Sequence, residues 1–223
     1  YREAHPSIIY IRTDARESVY QAWNRGVRMA TGEYITNANT DDRLAPNALE
    51  TLVRALQDNP EAALAYADVA VSRTANRPFD WNLRDGWIAR PNYAPSIMLS
   101  GCHMGPQPLW RRSIHSEVGL FDETLRSASD YDFWCRVALR HPLVHVPEIL
   151  GSYYDNPDGI CNANQQLSAD ESLAVMARYR DVFPMQAVRD TTTPAYVNVA
   201  MVTYNRLEFT RHAIEALAAS ADY

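Results

Sequence analysis

Apolar residues recur along the chain at two alternating spacings, which predict strands and helices that follow one another. Short apolar runs predict strands over Ser7–Arg12, Tyr34–Asn39, Ala62–Val71 and Leu143–Val146. Apolar residues at helical spacing predict helices over Arg16–Thr31, Asn47–Gln57, Asp130–Leu139 and Ser168–Tyr179. This alternation favours an α/β fold, in which helices cover the faces of a parallel or mixed sheet.

One long segment, Ser72–Gln107, does not follow either spacing. It contains several prolines with tryptophans between them. A long irregular insertion in an α/β domain is often a lid or an acceptor loop. The alternative is an unstructured surface loop, although the tryptophans argue mildly against it.

An acidic turn follows the second predicted strand. The strand Tyr34–Asn39 leads directly into Asp41 and Asp42. In α/β folds the carboxyl edge of the sheet is where ligands bind. Adjacent carboxylates repel each other unless a cation or a proton neutralises them, and Mg²⁺ combines one or two carboxylates with phosphate oxygens. The pair therefore indicates a metal-held diphosphate, and the alternative is an exposed Asp-Asp turn.

A second acidic position opens the predicted helix Asp130–Leu139. We expect Ser129 or Asp130 to cap this helix. Asp130 would then lie near the positive end of the helix dipole, which would keep it ionised.

Composition restricts the function classes. The chain has 223 residues, with 47% hydrophobic and 22% charged residues, which is typical of a globular protein with a core. A net charge of −6 argues against a nucleic-acid-binding surface. No apolar run is long enough to predict a membrane span. Three cysteines without metal-like spacing suggest a reducing compartment, so we expect the protein in the cytoplasm or at the inner face of the membrane.

Four segments, in this order, resemble glycosyltransferase family 2, the inverting sugar transferases with the GT-A fold. They are Asn24-Arg25-Gly26 with Ala30–Ile35, Asn39-Thr40-Asp41-Asp42 with Pro46 and Leu49-Glu50, Val118–Glu123, and Asp130–Arg136. Each segment alone is weak, but their order and spacing support the resemblance. It implies a nucleotide-sugar donor, a UDP-sugar in our prediction, a Mg²⁺ or Mn²⁺ ion, and a glycan, lipid-linked or other acceptor.

The resemblance also implies roles for single residues. Asp42 matches the metal-binding carboxylate, and Asp41 would support the metal or the ribose and sugar of the donor. Asp130 matches the general base, which inverting transfer needs to deprotonate the acceptor hydroxyl. Asp132 is the fallback for this role. Asn24 and Thr40 are expected to contact the donor.

The chain departs from the family pattern at three positions. Asn39 stands where an aspartate often opens the acidic motif, Ser129 replaces a glutamate, and Asn156 lies where some relatives have a histidine. These departures motivate the alternative of a catalytically silent module that binds carbohydrate or protein. His103 and Trp110 lie where acceptor contacts are expected, although loop and core roles are commoner for such residues.

The two ends of the chain suggest a tandem arrangement. We expect a catalytic domain over 1–185 without its opening strands, a linker over 186–194, and the opening strand, turn and helix of a second copy over 195–223. Because a buried strand edge leaves backbone groups unpaired, we predict that Val199–Val202 pairs in parallel with Tyr34–Thr36. Thr203, Tyr204 and Asn205 would then reach the donor.

Overall fold

The computed structural model describes residues 7–83 and 85–183, which form a mixed sheet packed between helices. The strands are β1 (Tyr34–Thr36), β2 (Arg43–Leu44), β3 (Leu64–Ser72), β4 (Trp87–Ile88), β5 (Leu109–Arg111) and β6 (Leu143–Tyr154). The α-helices are α1 (Val19–Met29), α2 (Ala48–Asp58), α3 (Phe79–Asn82), α4 (His115–Val118), α5 (Ser129–Ala138), α6 (Ile160–Ala163) and α7 (Gln165–Tyr179). Short 3₁₀ helices cover Pro95–Leu99 and Arg112–Ile114.

The sheet has the order β1-β5-β3-β6-β2, and β4 pairs with β3 outside this path. Strands β3 and β6 run parallel, from the pair Leu64 and Leu143 to the pair Ser72 and Tyr154. The other pairs are antiparallel, so the sheet is mixed, as predicted. The near-continuous apolar run in β3 is explained by burial, because both faces of this strand are covered.

Local sequence explains where the first two long helices begin and what they bury. Ser18 caps α1 in a capping box, in which its side chain accepts from the backbone of Gln21 and the Gln21 side chain returns a bond to Ser18. In α2, Ala48, Leu52 and Leu56 recur every four residues and are all buried.

Two apolar clusters hold the fold together. The larger cluster joins α1, α5 and α7 and is rich in aromatic residues, among them Trp110, Phe121 and Trp134. The smaller cluster packs α2 on residues from β3, β5 and β6. Helices therefore pack on opposite sides of the sheet, and the loops at one sheet edge remain available for a site.

Two predicted elements differ from the structure. Ser7–Arg12 is not a strand: no strand partner pairs with it among the residues that the structure describes, and Ile9 is 71% exposed. The predicted strand Leu143–Val146 continues to Tyr154 as β6, which absorbs a register irregularity opposite Asp68. The irregular segment Ser72–Gln107 contains only short elements, as its prolines predict.

The predicted second copy over 195–223, with the strand Val199–Val202, lies outside the described residues. Strand β1 pairs with β5 and ends the path of the described sheet. Within residues 7–83 and 85–183, no helix is both long enough and apolar enough to cross a membrane.

Candidate functional site

The acidic turn lies between two strands that fix both of its ends. On one side, the Thr36 hydroxyl donates to the Pro108 carbonyl at 2.8 Å, and the Asn37 amide donates to the Pro106 carbonyl at 2.7 Å. On the other side, Arg43 in β2 pairs with Ser152 in β6. The turn is therefore held against the end of β6.

Asp42 is buried and its two carboxylate oxygens both accept hydrogen bonds. The Asn39 amide donates to Oδ2 at 2.7 Å, and the backbone N–H of Tyr154 donates to Oδ1 at 3.0 Å. Burial raises the pKa of Asp42, although these two hydrogen bonds favour the ionised form. Asn39, which stands where the family often has an aspartate, thus positions Asp42.

Asp41 is less buried than Asp42 and is held by one hydrogen bond. The Asn156 amide donates to its Oδ2 at 3.2 Å, and Asn156 in turn accepts from the backbone N–H of Asp158 at 3.0 Å. At the position where some relatives have a histidine, this chain therefore has an amide that orients Asp41.

Asp130 is the second residue of α5 and is partly buried. Its Oδ1 accepts from the Tyr20 hydroxyl at 3.2 Å and from the backbone N–H of Tyr131 at 2.9 Å. Burial raises the pKa of Asp130, and the two hydrogen bonds oppose this shift. The sequence predicts that the helix dipole keeps Asp130 ionised. That prediction does not include the burial of the carboxyl group, which raises its pKa.

The predicted cap of α5 is wrong. Neither Ser129 nor Asp130 caps the helix, because Ala128 occupies the N-cap position and offers no side chain that can accept a hydrogen bond. Instead the carboxylate of Glu171, on α7, accepts from the backbone N–H groups of Arg126, Ser127 and Ala128 at 2.8–3.1 Å. A distant helix thereby provides the negative charge at the start of α5.

The acidic turn and Asp130 line one cavity of about 470 Å³. The structure thus brings together Thr40, Asp41, Asp42 and Asp130, as expected from the sequence. Tyr20, Arg126, Tyr154 and Asn156 also line this cavity, which we call the donor cavity after the donor that the sequence resemblance implies.

Two predicted site residues have structural roles. Asn24 is buried, and its amide bonds the backbone N–H and carbonyl of Phe121 and the Glu123 carboxylate. Asn24 is not among the residues that line the donor cavity, and its predicted donor contact stays a prediction. Asp132, the fallback base, is buried in ion pairs with Arg136 and Arg178.

Of the remaining predicted residues, Trp110 and His103 lie in the described part of the chain. Trp110 is buried in the aromatic cluster and donates to His115 at 2.9 Å, so it is a core residue. His103 shares a hydrogen bond with Ser100 at 2.8 Å. Thr203, Tyr204 and Asn205 lie outside the described residues.

The donor cavity contains carboxylates of the type that can bind a hard divalent cation. Adjacent carboxylates, oriented by amides, offer oxygen ligands of the kind that Mg²⁺ and Mn²⁺ prefer. Among residues 7–83 and 85–183, no group of three or more His, Cys, Asp or Glu side chains could hold a metal. A cation on Asp41 and Asp42 would need further ligands from outside these two side chains.

Comparison with known proteins connects this geometry to a family. The model of glycosyl transferase family 2 matches residues 1–117. An uncharacterized protein, MT1568 of Mycobacterium tuberculosis, is 27% identical over 194 residues, which are 80% of this chain and 56% of that protein. The putative colanic acid biosynthesis glycosyl transferase WcaA of Escherichia coli is 27% identical over 61% of this chain and 48% of its own length. The chain thus spans about half the length of these relatives.

A solved structure supports the fold. The mannosyltransferase PcManGT from Pyrobaculum calidifontis, in complex with GDP-Man and Mn²⁺, superposes with a TM-score of 0.57 at 18% identity, over 80% of this chain and 48% of that one. This likeness confirms the GT-A fold that the sequence predicted. Because the family model covers more than half of the sequence, the chain belongs to glycosyl transferase family 2.

Proposed function

We propose that the chain provides the catalytic site of a metal-assisted glycosyltransferase that moves a sugar, with inversion, from a nucleotide-diphosphate sugar to an acceptor hydroxyl. The observation that supports this most directly is the donor cavity, where Asp41, Asp42 and Asp130 meet. Family membership and the GDP-Man complex of the mannosyltransferase neighbour are consistent with such a donor.

Asp41 and Asp42 form the metal-binding part of the proposed site. Both carboxylates are oriented by amide or backbone donors, so they need little rearrangement to bind a cation. When bound, Mg²⁺ or Mn²⁺ would neutralise the diphosphate and stabilise it as a leaving group. Thr40 and Arg126 line the same cavity, and the arginine adds positive charge for the diphosphate.

Asp130 is the proposed general base. It removes the proton of the acceptor hydroxyl as the oxygen attacks the anomeric carbon, and the bond from that carbon to the diphosphate oxygen breaks. The sugar is thereby joined to the acceptor with inverted configuration, and the nucleoside diphosphate leaves. A raised pKa suits this role, because a carboxylate that accepts protons more readily is a stronger base.

The donor and the acceptor classes are part of the proposal. We propose a UDP-sugar as the donor, with the GDP-sugar of the solved neighbour as the first competitor to test. The proposed acceptor is a glycan or a lipid-linked sugar.

A donor screen tests this function. Thermal unfolding is measured with a panel of UDP- and GDP-sugars, with and without Mn²⁺, and hits are repeated by titration calorimetry. We expect metal-dependent binding of at least one nucleotide sugar, followed by its slow hydrolysis. Binding without hydrolysis or transfer would favour the alternative, a catalytically silent module, and a complete lack of nucleotide binding would contradict both the donor and the metal assignments.

A further inference from the structure

A second cavity, of about 410 Å³, adjoins the donor cavity. The two cavities share Trp23, Asn39, Asp130 and Tyr153 in their walls. Asp130 therefore faces both spaces. The proposed base must contact the acceptor hydroxyl while the donor sugar lies in the donor cavity. We therefore call this second space the acceptor cavity.

The walls of the acceptor cavity are mostly aromatic and apolar. Trp23, Trp134, Tyr153 and Pro106 are among the residues that line it. Small-molecule sites commonly combine such walls with a few polar groups that fix the orientation of the ligand. The faces of sugar rings are apolar and can pack on aromatic side chains.

Arg90 is the basic side chain in this wall, within the part of the chain that the structure describes. It is partly buried, and its Nε is enclosed without a hydrogen-bond partner. The neighbouring Asp68 interacts electrostatically with Arg90, and its Oδ1 accepts from the backbone N–H of Arg90 and pairs with Nε2 of His145, both at 2.8 Å. The Nε–H group of Arg90 is thus a donor on a charged side chain that has no hydrogen-bond partner within the described part of the chain.

We propose that the acceptor cavity binds an acceptor sugar that carries an anionic group, a carboxylate or a phosphate, and that Arg90 recognises this group. An enclosed N–H donor without a hydrogen-bond partner is unfavourable, and a planar guanidinium matches a carboxylate or a phosphate through paired hydrogen bonds. With the anionic group on Arg90, the attacking hydroxyl is directed to Asp130 at the other charged position in the wall. This proposal rests on the proposed function, because it names the acceptor of the same site.

Direct binding of matched sugars tests the proposal without catalysis. Ligand-observed NMR on the metal-free protein compares 4-nitrophenyl β-glucuronide with 4-nitrophenyl β-glucoside, and glucose 6-phosphate with glucose. The first pair tests a carboxylate and the second a phosphate. We expect at least one charged ligand to bind about 10- to 100-fold tighter than its neutral match, as a charge-assisted hydrogen bond provides. Arg90→Gln should remove this preference and leave the affinity for the neutral ligand within about twofold, since the neutral ligand has no anionic group for the guanidinium to bind.

Two controls keep the result interpretable. Arg54→Gln removes a surface guanidinium whose partner is Glu50, and it should preserve the preference. For the wild type, raising NaCl from low to high concentration should reduce the preference, which provides a readout if Arg90→Gln does not fold. Equal binding of charged and neutral sugars by the wild type, or an equal loss of both in Arg90→Gln, would overturn the proposal. Mn²⁺-dependent nucleotide binding is measured separately, so a failure of the proposed function is recognised independently.

Discussion

The Tyr20 hydroxyl donates a hydrogen bond to Oδ1 of Asp130 at 3.2 Å. This contact joins α1 to the first turn of α5, and Tyr20 itself is buried in the aromatic cluster. It gives Asp130 a fixed orientation and favours its ionised form. The geometry of the proposed base therefore depends on a residue from a distant part of the sequence.

Removal of this hydroxyl should change the pH dependence of transfer. In Tyr20→Phe the ionised form of Asp130 loses a hydrogen bond, so its pKa rises further. A base works only when ionised, so the acidic limb of the kcat/KM profile should move to higher pH, with activity recovering at the plateau. The measurement is the pH profile of transfer for the two proteins.

Tyr66→Phe is the matched control for Tyr20→Phe. The Tyr66 hydroxyl also makes a partly buried hydrogen bond, to the Pro91 carbonyl at 2.6 Å, but Tyr66 does not line the donor cavity. This variant should leave the acidic limb in place. Identical shifts in both variants, or none in Tyr20→Phe, would remove Tyr20 from the proposed mechanism.

Glu171 should stabilise the first turn of α5. In Glu171→Ala, the backbone N–H groups of Arg126, Ser127 and Ala128 lose their acceptor, and we expect a loss of about 0.5–2 kcal/mol in the free energy of unfolding. Because the segment that Glu171 holds carries Arg126 and Asp130, both nucleotide affinity and kcat should fall. Chemical denaturation and steady-state kinetics measure these effects.

Glu50→Ala is the control for Glu171→Ala. Glu50 makes an exposed pair with Arg54 one turn along α2, so its loss should change stability by less than about 0.5 kcal/mol. If Glu171→Ala has no larger effect than this control, the contacts of Glu171 do not support the helix.

Asn24 should be needed for stability and not for donor binding. Asn24→Asp keeps the shape of the side chain but loses the Nδ2 hydrogen bonds to the Phe121 carbonyl and to Glu123. The buried Phe121 carbonyl that loses its donor costs about 1–3 kcal/mol. Unfolding should therefore occur at lower denaturant concentration, while the folded protein keeps its nucleotide affinity. A selective loss of nucleotide affinity at unchanged stability would instead restore Asn24 to the donor site.

Asp41 is the cleaner position for a test of metal binding. Asp41→Asn retains an oxygen that can accept the hydrogen bond from Asn156. In Asp42, both carboxylate oxygens accept hydrogen bonds, so in Asp42→Asn the new NH₂ group would face an N–H donor. The wild type should gain about 2.7 kcal/mol of stability when Mn²⁺ is present at 100 times its dissociation constant. In Asp41→Asn this gain should be largely lost, as measured by unfolding with Mn²⁺ and with chelator. An equal gain in both proteins would place the cation elsewhere.

Sequence patterns predicted the elements whose signal is local. The alternation of helices and strands, the acidic turn and the position of Asp130 all follow from short stretches of sequence, and the structure brings Asp41, Asp42 and Asp130 to one cavity. The prediction of a strand over Ser7–Arg12 is wrong, because strand formation depends on a neighbouring strand that local sequence does not reveal.

The contacts that support the site could not be predicted in the same way. Glu171 lies on a helix that reads as surface, and its role comes from three backbone N–H groups far away in the sequence. Tyr20 has the spacing of a core residue, and only the fold shows that its hydroxyl meets Asp130. The absence of a hydrogen-bond partner for the enclosed Nε of Arg90, within the described residues, likewise follows from the fold and not from the local sequence.

The assignment of Asp130 as the base, beside a separate metal-binding pair, is tested most directly by Asp130→Asn. Both hydrogen bonds to Asp130 reach Oδ1, which an asparagine oxygen can replace, so the variant should fold. The folded-state pKa of Asp130 is raised, so its contribution to stability is present at low pH and is lost as the pH rises through that pKa. Asp130→Asn should therefore be at least as stable as the wild type at pH 7.

The deciding measurement is nucleotide-sugar affinity and transfer rate on the same preparation of Asp130→Asn, with Mn²⁺ present. We expect wild-type affinity for the donor and a transfer rate lowered by about 10²- to 10⁴-fold. Transfer at the wild-type rate, or a loss of donor affinity as large as the loss of rate, would contradict the assignment of Asp130 as the base.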